Sequence, residues 1–251
     1  MMISAVVLGG SLNKGPLRES DQVDYEALLP VGTKVMVEYV VEALLNSQRI
    51  EHVVVVGPVK ELQPRLSDPK ITVTDIAGDV MQNLEAGLRH LPGAERVLIV
   101  TSDVPLLTAP VVDSFIELCG DMSGDIYYPV IPKAAVEKRF ANTKRTYIKL
   151  KEGIFTGGNV FLLNPSIFSK CISNGRKLFE LRKSPVGLCR VIGVIFLLKY
   201  LLGHLTLEGI REKASSLFGV RGEVVVSQSP EIGLDVDKPG DLMLVRSFLG
   251  V

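Results

Sequence analysis

Val97-Leu98-Ile99-Val100-Thr101-Ser102-Asp103-Val104-Pro105 is the stretch on which the fold turns. An apolar, β-branched run too short for a helix ends in Thr-Ser-Asp, and the proline that follows stops any further strand pairing. Residues 96–101 therefore read as a buried strand with a carboxylate, Asp103, just past its end. Similar runs recur at 3–8, 52–56, 125–130, 160–163 and 224–226. Helical periodicity separates several of them. Met36, Tyr39, Val40, Ala43 and Leu44 share one face, as do Val80, Leu84, Gly87, Leu88 and Leu91, and then Val112, Phe115, Ile116 and Cys119.

Continuous apolar strands alternating with amphipathic helices predict a three-layer α/β/α fold. Its sheet is expected to be mixed and mainly parallel, in a Rossmann-like arrangement. Ligands of such folds bind beyond the C-terminal ends of the strands. Gly9-Gly10 and Ser102-Asp103 both fall there. Glycines directly after a strand let the backbone turn sharply, so that N–H groups can approach phosphate oxygens with no Cβ in the way. Lys14 can add a positive charge to the same anion. The loop lacks the GxxxxGK[ST] pattern of a Walker loop and the GxGxxG spacing of a dinucleotide fold.

A second carboxylate pair lies far along the chain, in Asp235-Val236-Asp237-Lys238-Pro239-Gly240-Asp241. Asp103 and Asp237, if they meet across the fold, form a hard-cation site beside a nucleotide's phosphates. Between the halves, residues 133–153 turn basic, with Arg139, Lys144, Arg145, Lys149 and Lys151. Alternation through 147–151 predicts a half-exposed strand there. Residues 174–221 read as a C-terminal helical insertion within a single 1–251 domain. Its 186–205 stretch is apolar, but the uninterrupted part, 191–198, falls far short of the roughly 20 residues a membrane span needs. A buried helix or an oligomer interface, as in a homodimer, is the expectation, and firm membrane association is not. From Thr206 an amphipathic helix is predicted, with Thr206 as its N-cap.

Bulk properties exclude several classes. A chain that is 47% hydrophobic and 22% charged is not disordered. Zero formal net charge gives no general attraction to nucleic acid or anionic lipid, so phosphate must be recognised locally. Three scattered cysteines, Cys119, Cys171 and Cys189, have neither zinc spacing nor an even count, which predicts a reduced, cytoplasmic setting. His52, His90 and His204 have no partner at metal or triad spacing, and no Gly-x-Ser-x-Gly occurs.

Four motifs occur in order: Leu8-Gly9-Gly10, Ala27-Leu28-Leu29-Pro30-Val31-Gly32-Thr33-Lys34, Thr101-Ser102-Asp103-Val104-Pro105 and Asp235-Val236-Asp237-Lys238-Pro239-Gly240-Asp241-Leu242. This order resembles the NTP-transferase superfamily, and within it the molybdenum cofactor guanylyltransferase-like nucleotidyltransferases. The resemblance implies the nucleotide-diphospho-sugar transferase type of fold, an NTP substrate (CTP or GTP), Mg²⁺ and a small-molecule acceptor. It implies that Leu8, Gly9, Gly10 and Ser11 wrap the nucleotide, with Lys14 standing where the family places a phosphate-binding arginine. Gly78 and Asn83 match a segment that reads base and ribose. Ser102 and Asp103 match the strand end, Asp103 and Asp237 the metal ligands, with Asp235 a nearby alternative. Thr156, Gly157, Gly158 and Asn159 resemble the segment facing the acceptor.

The departures are specific. Leu12 stands where another glycine is common, Val35 where proline is preferred, and Glu26 where the family carries a phosphate-binding lysine. Lys14, Arg18 and Lys34 are the nearby cations that could compensate. Two rival expectations are a non-catalytic nucleotide-binding regulator, which Glu26 favours, and a nucleotide-sugar glycosyltransferase. The latter is disfavoured because Ser102-Asp103-Val104 replaces its usual Asp-x-Asp.

Overall fold

All six residues of β1 (Ile3–Leu8) are buried, which places this strand at the centre of the molecule. The computed structural model describes residues 2–141, 143–169, 193, 196, 199–200 and 202–251. Around β1 lie β4 (Ile50–Val56), β5 (Ile71–Thr74), β6 (Val97–Thr101), β7 (Ile126–Pro132), β8 (Ile148–Leu150), β9 (Gly153–Gly157), β10 (Val160–Leu163) and β11 (Gly222–Val226). Their order is β5-β4-β1-β6-β10-β7-β9-β8, and β11 pairs with the other edge of β7. The block β5-β4-β1-β6 is wholly parallel, while β10, β9 and β8 pair antiparallel. The fold is thus α/β with a mixed sheet. Two short strands, β2 (Pro30–Val31) and β3 (Lys34–Val35), form a separate hairpin.

Period-two alternation distributes the strand residues between two cores. Ala5, Val7, Val53, Val55, Leu98 and Val100 face one side, where they pack with α1 (Met36–Leu45) and α4 (Ala109–Leu118) through Val37, Val40 and Phe115. Val6, Leu8, Val54, Val56, Val97 and Ile99 face the other, against Leu84 of α3 (Val80–Arg89). Each wholly buried Val, Leu or Ile in these layers contributes roughly 1.5–3 kcal/mol relative to exposure. Helix α3 begins in a reciprocal cap. Asp79 Oδ1 accepts from the Met81 and Gln82 amides at 2.9 Å each, and Gln82 Oε1 accepts from the Asp79 amide at 2.8 Å. Gly87 then lets the helix rest directly on the sheet, since a Cβ there would lie 2.5 Å from Val6 Cγ1.

Among the described residues there are also the four-residue α2 (Val59–Leu62), α5 (Lys133–Arg139), α6 (Leu207–Phe218) and α7 (Pro239–Leu249). A third core of Leu29, Leu106, Phe140, Leu234, Val236 and Leu242 ties α7 to the segments around residues 29, 106 and 140. Thr206 caps α6 as expected, its hydroxyl accepting from the Gly209 amide at 3.0 Å. Partly buried Leu207 and Ile210 pack on Leu150, Phe155 and Leu205. Half of the predicted 174–221 insertion, including most of the apolar 186–205 stretch, lies outside the described residues. Among the described residues no helix is long and apolar enough to cross a membrane.

The chain runs outward from β1 to β4 and β5, then returns to β6 on the opposite side of β1. Loops leaving β1 and β6 consequently diverge and open a crevice between them.

Candidate active site

The crevice is walled on one side by backbone packed close to its neighbours. The Gly9 amide donates to Val56 O at 2.7 Å, and an added Cβ would meet Val56 O at 3.3 Å and Ala27 Cβ at 3.4 Å. Gly10 is more confined still, because its Cβ would lie 2.7 Å from Asn83 Nδ2. Asn83 is itself buried, and its Oδ1 accepts from the amides of Ala77 and Gly78 at 2.8 and 3.2 Å. Gly78 adopts φ +145°, and a Cβ there would sit 2.3 Å from Gln82 Oε1. Gly10, Gly78 and Asn83 therefore form one interlocked unit at the start of α3. In this arrangement the Asn83 carbonyl oxygen is occupied by the backbone.

Past Ser11 the loop closes on itself. The Glu26 amide donates to Ser11 O at 3.0 Å, the Asn13 amide to Asp24 O at 2.8 Å, and Asn13 Nδ2 to Asp21 O and Val23 O at 3.0 Å each. Ser11 and Lys14 are exposed on this loop. Arg18 donates to Asn13 O at 3.2 Å. Lys34, a candidate to compensate for Glu26, is held elsewhere. It pairs with Glu42 and lies 5.3 Å from the Tyr39 ring centroid on α1.

The opposite wall carries charge. Leu8 O accepts from the Ser102 amide at 3.2 Å, and the Gly9 Cβ position lies 3.8 Å from Ser102 Cβ, so the glycine turn and the end of β6 adjoin. One residue on, Asp103 O accepts from the Val236 amide at 2.9 Å. That single backbone bond brings the C-terminal acidic segment to β6. As a result, Asp103, Asp235 and Asp237 each present a carboxylate oxygen, all within 4.8 Å of one another. The expected pair is a trio, with Asp235 joining it. Such an all-oxygen donor set suits a hard divalent cation.

The electrostatics follow from burial first and from the crowding of like charges second. Burial pushes the Asp103 carboxyl up to about 7, and the Asp235 and Asp237 charges add to this against the hydrogen bond from the Thr101 hydroxyl. Asp237 rises to about 6, first through burial and then through Asp235, while Arg145 opposes the shift. Glu26 is raised by burial and by the charge of Asp237, which places its carboxylate on the acidic side of the crevice. Asp241 is buried, and its Oδ2 accepts from the Asp237 amide at 3.2 Å.

A cleft of about 550 Å³ extends from Asp235 and Asp237 toward β7 and β9. Thr156, Gly157, Gly158 and Asn159 all line it, as the resemblance implies. The segment is locked by its own glycine, because a Cβ on Gly158 would lie 2.6 Å from Ile232 Cγ2. The Asn159 amide donates to Ile232 O at 2.8 Å, and the Thr101 amide donates to Asn159 O at 3.2 Å. Tyr128 and Lys238 also line it and escaped sequence reasoning, and Arg145 of the basic run lines it too. The basic run 144–151 hinted at Arg145, but alternation could not tell a solvated strand face from a cleft wall.

A parallel α/β crevice with a glycine turn on one wall and converging carboxylates on the other defines a nucleotide-handling class of protein. Comparison gives the family: residues 24–180 match the MobA-like NTP transferase domain. The chain belongs to that family, within the NTP-transferase superfamily. A solved structure described as a hypothetical transferase from Thermus thermophilus is 39% identical, with a TM-score of 0.85, covering 96% of this chain and all of that one. A 4-diphosphocytidyl-2C-methyl-D-erythritol synthase from Anaerococcus prevotii shares the fold at a TM-score of 0.60 and 11% identity, covering 100% of this chain and 96% of that one. The 2-C-methyl-D-erythritol 4-phosphate cytidylyltransferase of Klebsiella pneumoniae is 33% identical over 95 residues, 36% of this chain. That match spans only 40% of the curated relative's length.

Proposed function

We propose that this protein is a Mg²⁺-dependent nucleotidyltransferase that moves NMP from an NTP to a small phosphorylated or hydroxylated acceptor and releases pyrophosphate. The observation that carries the reading is the convergence of Asp103, Asp235 and Asp237 within 4.8 Å beside the Gly9-Gly10 turn. An acceptor oxygen attacks the α-phosphorus. The new O–P bond forms as the bond from the α-phosphorus to the α–β bridging oxygen breaks, and pyrophosphate leaves with the electron pair.

Little covalent help is needed from the protein, because positioning and charge neutralisation dominate such displacements. Gly10 and Ser11 offer backbone amides to the triphosphate, with Lys14 at its outer end, while Gly9, whose amide is held by Val56 O, makes the turn that brings them there. Leu8, Ser102, Gly78 and Asn83 shape the nucleotide side of the crevice. Thr156, Gly157, Gly158 and Asn159 face the acceptor. Asp103 and Asp237, joined by Asp235, would hold Mg²⁺, which supplies charge neutralisation at the α-phosphate and aligns the acceptor oxygen. CTP is the favoured donor, since the curated relative is a cytidylyltransferase.

Asp103→Ala is expected to abolish metal-dependent pyrophosphate release while the circular dichroism spectrum is retained. Unchanged turnover in that variant defeats the assignment. One observation supports a second reading: Glu26, on the acidic side of the crevice, opposes a triphosphate's charge. A non-catalytic nucleotide-binding regulator would bind NTP and Mg²⁺ yet release no pyrophosphate with any acceptor offered.

A further inference from the structure

Arg145 is a buried cation whose hydrogen bonds, among the described residues, go to one residue of the acidic trio. Its side chain is 7% exposed. Nη1 donates to Asp235 Oδ1, and Nη2 donates to the Asp235 carbonyl oxygen at 2.7 Å. Nε is buried with no hydrogen-bond partner among the described residues. The fork thus grips both the carboxylate and the main chain of the same residue.

We propose, building on the cation site read above, that Arg145 is a positioning residue: it holds the Asp235 carboxylate turned toward Asp103 and Asp237 so that all three can grip one divalent cation. Without it, Asp235 faces two like charges within 4.8 Å and borders an open cleft of about 550 Å³ into which its side chain can swing. Coulomb repulsion would drive that rotation. A purely structural role explains less. The backbone here is already anchored by the Val236-to-Asp103 bond and by the buried side chains of Leu234 and Val236. What the additional bond to Oδ1 controls is the direction of the carboxylate. Lysine cannot replace the fork, because a single ammonium cannot hold both acceptors in one plane.

The test uses Mn²⁺ alone as the probe, at pH 8 and without nucleotide. Free Mn²⁺ is followed by electron paramagnetic resonance, and melting temperature is recorded for every variant. Arg145→Lys keeps the charge and is expected to weaken Mn²⁺ binding roughly tenfold or more, the scale for losing a group that orients a metal ligand. Asp235→Asn should weaken it as well, and the double variant should bind no more weakly than Asp235→Asn alone, because both changes cut the same link. Arg145→Lys within about twofold of the unaltered protein, or losses that add, overturns the role of Arg145 while leaving the cation site standing. An unaltered protein that takes up no Mn²⁺ removes the cation site and this role with it. If Arg145→Lys does not fold, Asp235→Glu reads the same contact by displacing the carboxylate one methylene from the fork. Full affinity there overturns the proposal.

Discussion

The two walls of the crevice are built from opposite materials. The wall from Gly9 through Ser11 to Asn83 is backbone in close apposition, where glycines make room and every described bond is already formed within the chain. The wall of Asp103, Asp235 and Asp237 is unbalanced charge, with one buried arginine set against three carboxylates. The first wall is finished as it folds. The second is under electrostatic load that only a proton or a cation relieves. Stability and function should therefore respond in the same direction to changes on the glycine wall, and in opposite directions on the acidic one.

The sharpest break between them comes from Asp103→Asn. Turnover is expected to fall by roughly 10²-fold or more, since a charge aimed at the reacting phosphates is lost. The metal-free melting temperature at pH 8 should nevertheless rise, because the isosteric amide relieves the carboxylate crowding. A fall in both would mean that the acidic wall is structural. Gly10→Ala is the counterpart. Its Cβ would strike Asn83 Nδ2, at a cost on the order of 1–3 kcal/mol, and nucleotide affinity should drop with the melting temperature. Asn83→Ala should cost about 1 kcal/mol through the two amides it caps, measurable by urea titration.

Acidity offers a finer comparison. The Asp103 carboxyl stands at about 7 against an ordinary 3.8, and Asp237 at about 6. A raised carboxyl favours the folded state while protonated, so this contribution is complete below pH 3.8 and is lost as pH climbs through 6 to 7. Melting of the metal-free protein should accordingly show a loss over that window. The gain in melting temperature on adding Mg²⁺ should be larger at pH 8 than at pH 5. An equal gain at both would separate metal binding from these carboxylates. The smallest effect is expected for Glu26→Gln. Removing one like charge from the acidic side should tighten NTP binding a few-fold at low Mg²⁺, by calorimetry.

The contrast also explains which parts of the molecule could be read from sequence. β1 and β6 stood out because both faces of a parallel strand are buried, leaving unbroken apolar runs punctuated by Gly9-Gly10 and Ser102-Asp103. The helices over 36–44, 80–91 and 112–119 followed from one apolar face each. Asp237 was legible from its place before Pro239. Asp235 and Asp237, two residues apart in a turn, carry no local signal for which one points inward, and the fold directs both there. Arg145 was harder. Its partner is 90 residues away, and its burial depends on how the segment before β8 folds over the cleft. Nothing in Lys144-Arg145-Thr146 distinguishes the buried cation from the exposed one beside it. Lys34 misled for the converse reason: it is near the glycine loop in sequence but is drawn to Glu42 on α1.

The bond from the Val236 amide to the Asp103 carbonyl has a consequence for how the protein is made. During translation the glycine turn and the end of β6 emerge well before Asp235 and Asp237, so the three carboxylates cannot meet until the C-terminal segment has been made. If the trio holds a cation as proposed, that capture becomes available only once the supporting sheet has been made, a lock set on a finished frame.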